Sequence, residues 1–138
     1  MLYPLVLQKV SDGYVVLVPD VPGCYSAGDT FSDALSNAVE AIESHIELMI
    51  EAEEDIPQPL DIGVHRQNPD YQSSDLFFAG VDVDLSHVMG KSEKINVTLP
   101  SRLIRRIDQF VAANGEYKSR SGFLAKVASD KILSSAQA

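Results

Sequence analysis

The stretch Lys94-Ile95-Asn96-Val97-Thr98-Leu99-Pro100 constrains this chain more than any other. Ile95, Val97 and Leu99 alternate with Lys94, Asn96 and Thr98, the period-2 pattern of a strand with one apolar and one polar side. Behind it come two amphipathic segments, Ser101–Ala113 and Ser121–Leu133. No second strand is evident between Pro100 and the C-terminus, and so short a strand cannot bury its apolar side alone. The simplest solution is a two-fold partner. Two copies pair antiparallel, the apolar sides cover a shared helical core, and the polar sides make an outward ribbon.

Such a ribbon fits a DNA major groove. Charge supports that placement. Residues 91–138 carry nine Lys/Arg against four acids, whereas residues 1–90 carry Lys9 and Arg66 against sixteen Asp/Glu. The net charges are +5 and −14, and together they give the −9 of the whole chain. Phosphate contact is assigned to the basic tail, and a basic partner suits the acidic body. The start Met1-Leu2-Tyr3-Pro4 has no positive n-region, and no apolar run is long enough to span a bilayer. The single cysteine, Cys24, excludes an internal disulfide framework and agrees with a reducing compartment. A cytoplasmic location is expected.

The first ninety residues read as a small α/β layer. Tyr3–Val10 and Tyr14–Pro19 are strands around Ser11-Asp12-Gly13, a hairpin signal. Cys24–Ala27 is a short third strand, and Leu76–Leu85 a further one. Thr30, followed three positions later by Asp33, caps a helix from Phe31 to about Glu53 with an apolar stripe from Phe31 to Ile50. Its other side carries Glu40, Glu43, Glu47 and Glu51. Asp61–Asp75 reads as an extended loop. Ser86–Ser92, with Gly90, is the expected boundary, giving units 1–90 and 91–138.

Tyr3-Pro4, Asp12-Gly13-Tyr14-Val15-Val16, Pro19-Asp20, Pro22-Gly23-Cys24, Gly28-Asp29-Thr30, Ala34-Leu35, Asn37-Ala38, Glu40-Ala41-Ile42 and Ile56-Pro57 resemble the HicB antitoxin family. Asn96-Val97-Thr98-Leu99-Pro100, Leu103, Ile107-Asp108 and Arg120-Ser121-Gly122-Phe123-Leu124 resemble the ribbon–helix–helix unit that some of its members carry. Together these signals run over about residues 3–133. The chain departs from the family at Glu54-Asp55, where glycine and glutamate are frequent, and at Phe77-Phe78, where tryptophan is common.

The resemblance implies an α+β chain with a partly degraded ribonuclease-H-like N-terminal domain and a C-terminal ribbon–helix–helix domain. It implies an antitoxin that binds and occludes a HicA-type mRNA interferase toxin and represses its own operon at operator double-stranded DNA. The alternative is a stand-alone ribbon–helix–helix regulator whose acidic domain senses another partner or ligand. A homodimer is expected, and the open sheet edges leave a tetramer available.

On this reading Lys94, Asn96 and Thr98 read bases, and Ser119, Arg120 and Ser121 hold a phosphate at the start of the last helix. Tyr25, Asp29, Glu40, Glu43, Glu47 and Glu51 are the candidate toxin contacts. Leu103, Ile107, Phe110 and Val111, with Phe123, Leu124, Val127, Ala128 and Ile132, are the expected core stripes of the two C-terminal helices. No enzyme, cofactor or metal site is expected. Asp12, Asp20, Asp82 and Asp84 do not make a convincing two-metal set, and His45, His65 and His87 lack ligand spacing.

Overall fold

The computed structural model describes residues 1–135. Alternating β-branched and aromatic residues build an antiparallel four-stranded sheet: β1 (Leu2–Val10), β2 (Gly13–Leu17), β3 (Tyr25–Gly28) and β4 (Leu76–Asp82), in the order β3-β2-β1-β4. The Ser11-Asp12 turn sets Val10 opposite Gly13 and carries the register to Val6 opposite Leu17. On its other side β1 pairs from Leu2 with Asp82 to Gln8 with Leu76. This register puts Tyr3, Leu5, Leu7, Val16 and Val81 on one face, all buried against Ala34, Ala38, Ile42 and Ile46 of α1 (Phe31–Glu51).

Helix α1 begins where Thr30 Oγ1 accepts the Asp33 N–H at 3.1 Å, as its sequence position predicts. It stops two residues earlier than expected, in a left-handed turn at Glu53 (φ 56°), where the Glu53 N–H donates to Ile50 O and the Glu54 N–H to Met49 O. Gly28 lets β3 lie close on α1, since a Cβ there would sit 2.3 Å from the Ala34 nitrogen.

The segment read as an extended loop is partly structured. Asp61 caps a five-residue helix, α2 (Ile62–Arg66), and Asn68 caps a 3-10 turn over Pro69–Tyr71. Together they cross part of the sheet face opposite α1, where Tyr71 meets Phe78 edge-on at 6.4 Å. Asp20 pins this segment by accepting the Leu60 N–H at 3.0 Å and lying 2.9 Å from the buried His65 Nε2. Strand β4 ends at Asp82 instead of Leu85, because the Val83 N–H donates to Met1 O and Asp84 caps a 3-10 turn over Leu85–Met89.

Residues 91–100 form no regular element within the single chain, and Ile95 and Val97 are exposed. The expected strand therefore has no partner in one protomer. Helices α3 (Ser101–Ala113) and α4 (Arg120–Ser135) follow, meeting at a cluster of Phe110, Tyr117 and Phe123 with ring centroids 5.3–5.7 Å apart. Of the expected stripe on α3 only Ile107 is buried; Leu103 and Phe110 stay open, as do Val127 and Ile132 on α4. The buried residues of α4 are instead Lys126, Ser129 and Leu133. The reason is that this side of α4 docks against the sheet unit, where Leu133 joins the main core.

Candidate functional site

Three regions hold the chemistry. The first is the exposed stretch containing Lys94, Asn96 and Thr98, all open to solvent. Neither edge of this backbone is paired, and the amide, hydroxyl and ammonium groups are open to solvent. Nearby in the chain, Ser119 Oγ accepts the Gly122 N–H at 3.0 Å and its carbonyl accepts the Phe123 N–H, so Ser119 is the N-terminal cap of α4. Ser121 is exposed on the first turn. Arg120 turns its guanidinium to Asp108 of α3 in a two-pronged contact, Nε–Oδ1 3.0 Å and Nη2–Oδ2 2.7 Å. The pairing holds the Asp108 carboxyl below its usual range. The outward face of this turn is thus left to the serines and the backbone amides.

The second region is the acidic unit. Glu40, Glu47 and Glu51 are exposed on α1, and Glu43 is half-buried, with its carboxyl pushed up by burial despite the opposing charge of His87. Tyr25 lies on the other side of the sheet. Ser26 shares the α1 side with Val16, its register partner, so Tyr25 and Ala27 face away from the helix. The structure therefore separates Tyr25 from the glutamate ridge; the six expected contacts do not make one surface. Asp29 is exposed in the turn between β3 and α1.

Around Tyr25 the open half of the sheet forms a groove of about 450 Å³ that no sequence pattern announced. Its floor is Val6, Val15, Leu17 and Leu76 with Gln8 between Val15 and Leu76; Tyr25 and Tyr71 flank it, and Asp70 lies on its border. Burial and the charges of Asp70 and Asp20 raise the Tyr71 phenol above its ordinary range. Tyr25 is 68% exposed and Val15 40%.

The third region joins the two units. Lys126 Nζ lies 3.1 Å from Asp130 Oδ2 and 3.3 Å from Asp82 Oδ1, and the Met1 ammonium contacts the same two carboxylates. Gln58 Nε2 donates to Leu133 O at 2.7 Å. Burial alone would depress the Lys126 ammonium, but Asp130 and Asp82 outweigh it and raise it. Burial would likewise raise Asp82, yet the Met1 and Lys126 charges hold it below the usual carboxylate range. Asp12 and Asp20 do not join Asp82 and Asp84: Asp20 is committed to His65. Among the described residues no group of three His, Cys, Asp or Glu is placed to hold a metal ion, and no helix is long and apolar enough to cross a membrane. Cys24 is buried, and burial pushes its thiol up.

Comparison with known proteins covers all three regions. The family model described as "HicB_like antitoxin of bacterial toxin-antitoxin system" matches residues 3–128. A 14.9 kDa protein from the rep-hol intergenic region of Haemophilus phage HP1 is 54% identical over 134 residues, spanning 97% of this chain and 99% of its own. The crystal structure of the Burkholderia pseudomallei antitoxin HicB is similar at 38% identity with a TM-score of 0.68, over 93% of this chain and 96% of that one. A HicA3 and HicB3 toxin-antitoxin complex contains a chain similar at 32% identity and TM-score 0.56, matched over 61% of this chain and 99% of its own.

Proposed function

From the premise that this chain belongs to the HicB-like antitoxins of bacterial toxin-antitoxin systems, we propose how its two units divide the work. As an antitoxin of a HicA/HicB-type pair it acts by binding. Residues 1–90 form the toxin-binding domain, a degraded ribonuclease-H-like layer that covers an mRNA interferase and excludes RNA from it. An antiparallel sheet with one long helix on one face supports that description. Residues 91–138 form the ribbon–helix–helix domain that dimerises and binds operator DNA in the cytoplasm.

The observation that carries this reading is the exposed, unpaired Lys94–Leu99 stretch in front of α3 and α4. Ile95, Val97, Leu103, Phe110 and Val127 all stay open in one protomer, and a second copy would cover them while leaving Lys94, Asn96 and Thr98 outward. Lys94 reaches guanine or phosphate, Asn96 pairs with adenine, Thr98 offers a hydroxyl or methyl contact, and the Ser119–Ser121 turn caps a phosphate. Occlusion needs complementarity and no chemistry from this chain.

The test is purification of the full chain with the HicA-type protein of its own locus, followed by a mobility shift on its own promoter. A complex that also retards the promoter is expected. Promoter binding with no toxin capture would instead support the stand-alone regulator with a different partner. The free edges of β3 and β4 could join two dimers into a tetramer, which sedimentation of the same sample would reveal.

A further inference from the structure

We infer that the cationic toxin docks in the groove over β1 and β2 on the sheet face away from α1, with Val15, Gln8, Leu17 and Leu76 as its floor, Tyr25 and Tyr71 as its flanks and Asp70 on its border. This placement rests on the antitoxin reading and narrows it to one surface. Three surfaces compete: the glutamate ridge of α1, this groove, and a pocket of about 470 Å³ on the same sheet face, lined by Leu2, Pro4, Leu60, Asp61 and Ile62, which has no tyrosine.

The ridge offers charge with little else. Glu40, Glu47 and Glu51 are exposed, and Leu48 is the large apolar residue open beside them. Exposed carboxylates contribute about 0–1 kcal/mol each when paired, and salt screens them. They can steer a cationic partner and raise its association rate, but they do not make a tight centre. The groove has what the ridge lacks. A mostly apolar floor, broken by the Gln8 amide, is flanked by two tyrosines, whose rings give up large apolar area on binding while their hydroxyls remain able to bond. A nuclease that grips RNA must present Lys and Arg, and these stack on tyrosine faces and pair with Asp70. No cation lines the groove to oppose them.

The chain itself leaves the groove open by design of its loop. Asp20 fastens Leu60 and His65, so the Pro69–Tyr71 turn meets Phe78, supplies Asp70 and Tyr71 as one wall of the groove, and leaves Val15 and Tyr25 exposed. A second copy seated face to face is a poor occupant, because the broad acidic surfaces of two units of net charge −14 would oppose each other, whereas pairing at a strand edge keeps these faces apart. The chain matched in the HicA3 and HicB3 toxin-antitoxin complex spans 61% of this protein, a length close to that of residues 1–90.

The experiment uses the full chain and an RNase-inactive variant of the HicA-type protein of its own locus, so that it can be purified, titrated calorimetrically at moderate salt. Val15→Arg and Tyr25→Ala are each expected to weaken toxin binding by about 100-fold. Both should melt like the parent and bind operator DNA as tightly. Paired Glu47→Lys and Glu51→Lys changes should weaken it by less than about tenfold, through lost steering. If the groove variants bind like the parent while the ridge variant fails, the docking surface is overturned and the antitoxin reading stands. If the parent itself does not bind, that reading falls with it. If Val15→Arg leaves toxin affinity intact but lowers the sedimenting mass, the groove is a contact between copies and the inference is wrong.

Discussion

Replacing Lys126 with Met tests whether α4 is held to the sheet unit by charge. Met keeps the apolar stem and removes one ammonium, leaving Asp82 and Asp130 to the Met1 ammonium alone. Breaking a fully buried pair costs about 3–5 kcal/mol. Here the carboxylates are 49% and 34% exposed on their side chains, so water re-solvates them and the cost falls to about 2 kcal/mol. For a chain of this length that corresponds to a fall in Tm of about 6–10 °C. The pH dependence is more diagnostic. Asp82 has a depressed pKa, so its contribution is complete above the unfolded value near 4 and disappears as pH falls through the lower folded value. Lys126 has a raised pKa, so its contribution is complete below about 10.4 and disappears as pH rises through the higher folded value. The gap in Tm between parent and variant therefore narrows as pH falls below about 5 and as it rises above about 10. Calorimetric melts across that range would show it; equal Tm values at neutral pH would refute the latch.

Glu53→Gly is expected to raise stability by about 0.5–1 kcal/mol, because glycine adopts the left-handed C-terminal turn of α1 without a Cβ penalty; urea unfolding measures it. Gly28→Ala should cost about 3 kcal/mol or more, since the added methyl meets the Ala34 backbone, and a loss of folded protein in the same assay is the check. Asn96→Ala should lower operator affinity by about 1–3 kcal/mol while leaving binding to random DNA and the salt slope unchanged, read by mobility shifts over a salt series. Lys126→Met should leave that slope unchanged too, because its ammonium is already matched by Asp82 and Asp130.

Local signals in the chain foretold the sheet and α1. Period-2 runs gave the strands, the Thr30 cap and the Ala34–Ile46 spacing gave the helix, and both were set by neighbours a few residues apart. The short helix α2 and the Pro69–Tyr71 turn were locally encoded as well, by Asp61 two positions before Gly63 and by Asn68-Pro69-Asp70, but such brief elements have no apolar period to reveal them. What sequence could not show was long-range pairing. Lys126 falls in a basic tail and reads as one more phosphate-facing cation, yet its partner Asp82 is 44 positions away. Asp20 and His65, 45 positions apart, are each unremarkable alone. The groove escaped for the same reason: Tyr25 and Tyr71 come together only when the sheet and the pinned segment do.

Helix α4 has two sides with different obligations, and this bears on how the two proposed activities interact. Lys126, Ser129 and Leu133, spaced at three and four residues, face the sheet unit. Val127 and Ile132 lie off that stripe and stay open toward whatever covers the ribbon. Under the proposed pairing of two copies, α4 is then gripped from both sides, so the ribbon dimer also sets where each sheet unit stands. A toxin seated on the sheet unit and DNA held by the ribbon would act on the same helix. Any change in operator affinity caused by the toxin must be matched by an equal change in toxin affinity caused by the operator. Loosening α4 with Lys126→Met should bring both ratios toward one together, since they are the same free energy measured from its two ends.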